Sequence, residues 1–117
     1  MRVAIVEPGI TRSSIFGKNV DTPNATGAYT EHYERMLQMY AAGYHHATPA
    51  AEVARVIRWA IETERPVLRY QVSWGSRELI GGRARMTDEE WVELGTVAGL
   101  DDYIAAFQDK FALDIST

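Results

Sequence analysis

The sequence contains no cysteine, which excludes disulfides and thiolate metal sites and is compatible with a reducing cytoplasm, the expected location. Basic charge is also in short supply. Twelve Lys and Arg stand against 16 Asp and Glu, a formal net charge of −4 that leaves no footprint for nucleic acid or an anionic membrane. The opening apolar run, Val3 to Val6, stops at Glu7-Pro8 and is too short for a signal peptide or a membrane span. No His, Asp and Glu stand at ligand spacing, so no metal site is expected and a metal-dependent hydrolase finds no support. His45 and His46 are adjacent and cannot both reach one ion from a helix face; solvent or a helix C-terminus suits them better. What remains is a globular composition. With 117 residues, 46% hydrophobic and 24% charged, the chain is one domain or a piece of one.

The first fourteen residues organise this reading. Val3, Ala4, Ile5 and Val6 run without polar alternation, the pattern of a strand covered on both faces in a parallel sheet flanked by helices. Pro8, with no N–H to give, is expected to end the strand, and Gly9 lets the backbone turn or approach a ligand closely. Thr11, Ser13 and Ser14 then bring three hydroxyls beside Arg12. A loop past the carboxyl end of a parallel strand is where open α/β sheets bind ligands, although the same residues also suit an ordinary strand exit with solvated hydroxyls.

The segment Arg2-Val3-Ala4-Ile5-Val6-Glu7-Pro8-Gly9-Ile10-Thr11-Arg12-Ser13 resembles the late strand and Pro-Gly loop of the short-chain dehydrogenases/reductases. The family's segment reads Arg-Val, three or four aliphatics, an acidic residue or Asn, Pro-Gly, an aliphatic, two variable residues and Thr. The resemblance implies hydride transfer between NAD or NADP and an alcohol or carbonyl, with the loop against the nicotinamide end of the cofactor. Pro8, Gly9 and Ile10 match the motif, and Ser13 stands at its Thr, keeping the hydroxyl and losing the methyl. These four are the expected cofactor-binding residues.

The family's other motifs do not occur in this chain. No Gly-x-x-x-Gly-x-Gly follows a strand, and none of the six tyrosines has a Lys four positions on, so the Tyr-x-x-x-Lys pair and its upstream Ser are missing. Gly95 to Gly99 copies part of the glycine spacing but follows a helical pattern and reads as a helix end. No catalytic residue is therefore assigned. The chain is expected to correspond to the C-terminal part of such an enzyme and to be inactive alone, without binding NAD(P) by itself.

Residues 15 to 28 are rich in Gly, Pro, Asn and Thr and read as a loop. From Tyr29 to Tyr44 a helical stripe appears, Tyr29, Tyr33, Met36, Leu37, Tyr40 and Tyr44. It suits plain amphipathic packing or an adaptable lid over a small-molecule substrate. The resemblance places the family's variable substrate-binding helices here, making Ile15, Phe16, Tyr29, Tyr33 and Met36 the expected substrate contacts. Thr48 and Pro49 are expected to cap and open the next helix, whose apolar face is Val53, Val56, Ile57, Ala60 and Ile61. Val67 to Val72 reads as a second strand, completing a strand, helix, strand order. In the family this helix and strand commonly form a subunit interface, so Trp59 and Trp74 are either contact aromatics of a homo-oligomer or buried against the C-terminal tail.

Beyond them, residues 75 to 82 suggest a short helix or turn ending at the double glycine. Thr87 to Glu90 is a capping box, and Asp101-Asp102 opens a last helix with Tyr103, Ile104, Phe107 and Phe111 on one face. The expected fold is α/β, a C-terminal fragment of a doubly wound Rossmann-like parallel sheet. Its parts are a strand and cofactor loop (1–14), a lid region (15–47), a helix-strand crossover (48–74) and a helical tail (75–117). Two strands alone leave an open edge beside apolar side chains, so the sequence looks cut from a larger sheet. A non-catalytic association module, or a decayed fragment, is the competing expectation.

Overall fold

The computed structural model describes residues 1–18 and 25–116; of the loop expected over 15–28, residues 19–24 lie outside the described residues, as does Thr117. Two short strands run side by side. Strand β1 (Ile5–Pro8) pairs in parallel with β4 (Arg69–Val72), in the register Ile5 to Arg69 through Pro8 to Val72. The strand ends at Pro8 as expected, but the expected cause, a ladder bond lost for want of an N–H, is corrected. The amides of Ile5 and Gly9 donate to the carbonyls of Leu68 (2.7 Å) and Val72 (2.8 Å). Alternate residues of a strand point to opposite edges, so position 8 faces away from β4 and its missing N–H costs the ladder nothing.

Immediately after Gly9 the pairing shifts to a second small parallel pair. Strand β2 (Thr11–Arg12) lies beside β3 (Thr48–Pro49), and the Thr48 amide donates to the Ile10 carbonyl at 3.1 Å. Here a second expectation fails. Helix α3 (Ala50–Glu62) starts one residue later than expected, and Thr48 does not cap it. The Thr48 hydroxyl instead accepts from the Trp74 amide at 3.1 Å, tying the chain leading into α3 to the exit of β4.

The strand expected from Val67 begins at Arg69, because the Val67 amide donates to the Tyr70 hydroxyl and not to a neighbouring strand. Cover is also thinner than the apolar runs imply. Val3, Ile5, Val67 and Leu68 are exposed, as are Ile57, Trp59 and Ile61 on α3, while Ala60 is buried. Among the described residues β1 has a partner on one edge only.

The core lies elsewhere. A one-turn helix α1 (Ile15–Lys18), within the stretch expected to be loop, leads toward α2 (Thr30–His46). After β4 come α4 (Ser76–Arg85), α5 (Asp88–Thr96) and α6 (Leu100–Phe111). Ala42 of α2 joins Met86, Leu94, Phe107, Phe111, Leu113 and Ile115 in the buried cluster, so the helical tail and the last residues supply most of it. Trp74 packs against this cluster, whereas Trp59 stays exposed.

Helix α4 runs through Gly81-Gly82, where a stop was expected. A Cβ on Gly82 would lie 2.2 Å from the Phe111 ring, so this glycine is where α6 packs closely on α4. Helix α5 opens with the expected capping box: Glu90 N donates to Thr87 Oγ1 (3.1 Å) and Thr87 N to Glu90 Oε2 (2.9 Å). The architecture is thus mixed α/β, with six helices and small parallel strand pairs among the described residues.

Candidate functional site

Parallel pairing brings the carboxyl ends of β1 and β4 to the same side, and the chain leaves both strands through sharply constrained links. Ser73 and Gly75 take left-handed backbone angles (φ 75° and 81°) on leaving β4. Gly9 passes so close to them that a Cβ there would sit 2.2 Å from the Trp74 carbonyl oxygen and 2.7 Å from the Ser76 amide nitrogen. The close approach that glycine permits is therefore to the protein's own β4–α4 link. The Ile10 amide donates to the Trp74 carbonyl at 2.9 Å, and Thr11 Oγ1 lies 3.0 Å from Ser73 Oγ. These bonds fix the Pro-Gly loop as a rigid floor.

Helix α2 crosses this floor at close range. A Cβ on Gly43 would meet the Ile10 side chain at 3.2 Å, so the absence of a side chain at this buried position lets the helix settle on the loop. On its far side α2 is held by Arg35, a buried residue whose guanidinium donates to the Gly95 carbonyl at 2.8 Å and also to that of Val97. The same guanidinium lies 4.5 Å from the centroid of the Tyr103 ring. Burial pushes the Tyr103 phenol up from its ordinary value, and the Arg35 charge opposes that shift. Gln38 Nε2 adds a bond of 2.6 Å to the Ile115 carbonyl in the C-terminal tail.

Between loop, α1 and α2 lies a cleft of about 760 Å³. Pro8, Gly9, Ile10 and Thr11 form one side, Ile15 and Phe16 of α1 a second, and Tyr33, Met36, Leu37 and Tyr40 of α2 the third. The Phe16 ring stands edge-on to Tyr40 (6.5 Å) and to Tyr44 (5.8 Å), bridging α1 to α2. Its size and apolar lining fit a small-molecule site.

Seven of the nine residues singled out from sequence line this cleft: Pro8, Gly9, Ile10, Ile15, Phe16, Tyr33 and Met36. Ser13 and Tyr29 do not. Ser13 is exposed, and its hydroxyl accepts from the Ile15 amide at 3.4 Å, at the start of α1. Tyr29 is exposed at the N-terminal boundary of α2. Thr11, Leu37 and Tyr40 were not singled out. Their signal was present, since Leu37 and Tyr40 share the helical stripe and Thr11 is one of the loop hydroxyls.

No carboxylate, lysine, arginine or histidine lines the cleft among the described residues. It can shape and desolvate a ligand but has no acid, base or nucleophile of its own beyond hydroxyls. Arg12 and His45 lie in a different cavity, shared with Ala41 and Tyr44. His46 stacks on Trp74 at 5.2 Å, and both histidines occupy the last turn of α2. Among the described residues no group of three His, Cys, Asp or Glu is placed to hold a metal ion, and no helix is long and apolar enough to cross a membrane.

Comparison with known proteins assigns no family: no family model matches the chain, and neither a curated protein nor a solved structure does.

Proposed function

We propose that this chain supplies the substrate-side wall of an NAD(P)-dependent short-chain oxidoreductase site, in which hydride passes between the nicotinamide and an alcohol or carbonyl. The observation that carries the reading is the cleft at the carboxyl end of β1, the strand that pairs in parallel with β4. It sits where open parallel sheets bind ligands, and its floor is the Pro8-Gly9-Ile10 segment that matches the family motif. In this reading the Pro-Gly loop backs the nicotinamide, and α1 and α2 close over the substrate. The glycine-rich phosphate loop and the Tyr and Lys that move the proton come from another polypeptide segment, in the doubly wound sheet that β1 and β4 would extend.

The test is a hybrid in which the nucleotide-binding half of a short-chain dehydrogenase, through its Tyr-x-x-x-Lys helix, is joined ahead of Met1. The hybrid is expected to oxidise NADH or NADPH with a carbonyl acceptor and to lose that turnover on Gly9→Val. A folded hybrid that binds the dinucleotide but whose turnover is indifferent to Gly9→Val would refute the assignment.

A second reading, a non-catalytic association module, draws on a different observation. The open edge of β1 and the exposed Val3, Ile57, Trp59, Ile61, Val67 and Leu68 leave apolar surface that a second chain could cover.

A further inference from the structure

We infer that the cleft selects an uncharged, ring-bearing apolar ligand and rejects anionic ones, an inference that rests on the oxidoreductase reading only in making that ligand the carbonyl or alcohol substrate. The lining carries the selection. Three aromatic rings, Phe16 from one side and Tyr33 and Tyr40 from the other, face a cleft of about 760 Å³, and Ile10, Met36 and Leu37 fill the intervals. Aromatic walls favour a flat ring system, and the flexible Met36 thioether adapts to its outline.

An anionic group would find no counter-charge among the described residues that line it. Thr11 Oγ1 already bonds to the Gly9 carbonyl at 3.3 Å and sits 3.0 Å from Ser73 Oγ. The cations nearest in sequence lie outside the lining: Arg12 borders the separate cavity with His45, Arg35 is buried on the carbonyls of Gly95 and Val97, and Lys18 is exposed at the end of α1. Stripping water from a sulfonate or carboxylate without such a partner costs more than a tenfold loss of affinity.

The probes are a matched pair, N-phenyl-1-naphthylamine and its 8-sulfonate, which share one ring system and differ by one negative charge. Fluorescence titration of the full chain is expected to give at least about tenfold tighter binding of the neutral probe. Leu37→Lys places an ammonium at a half-exposed helical position of the cleft, keeps a strong helix former, and is expected to shift preference toward the sulfonate. Ile61→Lys, on the exposed face of α3, is expected to leave the ratio unchanged. Phe16→Ala, in a helix with no buried residue, weakens the neutral probe and stands in should Leu37→Lys lose its helical circular dichroism.

Equal or tighter binding of the sulfonate by the unaltered chain would overturn the inference. So would neutral-probe binding that neither cleft variant changes. Neither probe involves a nucleotide, so neutral-probe preference in the chain combined with a hybrid that fails Gly9→Val would remove the oxidoreductase reading and leave the ligand class standing.

Discussion

Gly9 and Gly17 are eight residues apart and stand in opposite surroundings. A methyl group on Gly9 would collide with the Trp74 carbonyl and the Ser76 amide, whereas no described residue lies within 4 Å of one on Gly17. Gly9→Ala must therefore move backbone, and is expected to cost about 1–3 kcal/mol. Gly17→Ala should cost nothing measurable; urea midpoints of the two variants check the contrast, and equal midpoints would contradict it. The Glu90 carboxyl sits below its ordinary value, first because the Thr87 backbone N–H donates to it and then because Lys110 bonds to it at 3.0 Å. A carboxyl lowered in the fold contributes stability above its unfolded value, and that contribution is lost as pH falls through the folded one. Lys110 is raised by the same partner, so its share is present below the ordinary lysine value and lost as pH rises through the raised one. Glu90→Gln is expected to flatten the acid side of a plot of melting temperature against pH. An acid limb identical to that of the unaltered chain would show that the pair contributes nothing to it.

At the level of elements, α2 serves two purposes. One side of it walls the cleft, while Arg35 and Gln38 tie it to the end of α5 and to the C-terminal tail. Arg35→Met removes both bonds to the carbonyls that end α5 and is expected to cost about 1–3 kcal/mol, with the loss confined to stability. Neutral-probe binding under folding conditions should persist, and its disappearance in a folded Arg35→Met chain would mean that the anchor also shapes the site. The helical stripe made α2 legible in the sequence, and the run of Val and Ile made β1 legible. The details that failed did so for tertiary reasons. Thr48 looks like a helix cap until the Trp74 amide takes its hydroxyl, and Gly81-Gly82 looks like a stop until the Phe111 ring is seen against Gly82. Both partners are more than 20 residues away in sequence, beyond the reach of local pattern. The cleft was mostly legible because its lining is local to two segments, the Pro-Gly loop with its following turn and one helix face. Ser13 lies outside the lining because its hydroxyl, which fits the motif by spacing, is in the fold bonded to the first amide of α1.

The whole molecule is more open than its mass requires. Its radius of gyration is 16.6 Å, against about 13 Å expected for a compact domain of this length. The accessible surface of 8280 Å² exceeds by roughly 1900 Å² that of a self-contained protein of 13.1 kDa. That surplus is more than the roughly 800 Å² each partner contributes to a standard interface. The chain is therefore expected to associate through its uncovered strands and α3. Sedimentation equilibrium should give a weight-average mass that rises with concentration above 13.1 kDa, and melting temperature should rise with it. A monomer with a concentration-independent melting temperature would contradict this. If the proposed oxidoreductase function holds, the same surplus surface would dock a nucleotide-binding half, with the Pro-Gly loop as the wall between cofactor and substrate. The most direct test is a nuclear Overhauser measurement on the hybrid with bound NADH. The account requires contacts from the nicotinamide ring protons to Gly9 and Ile10; a bound nicotinamide with contacts elsewhere and none to this loop would contradict it.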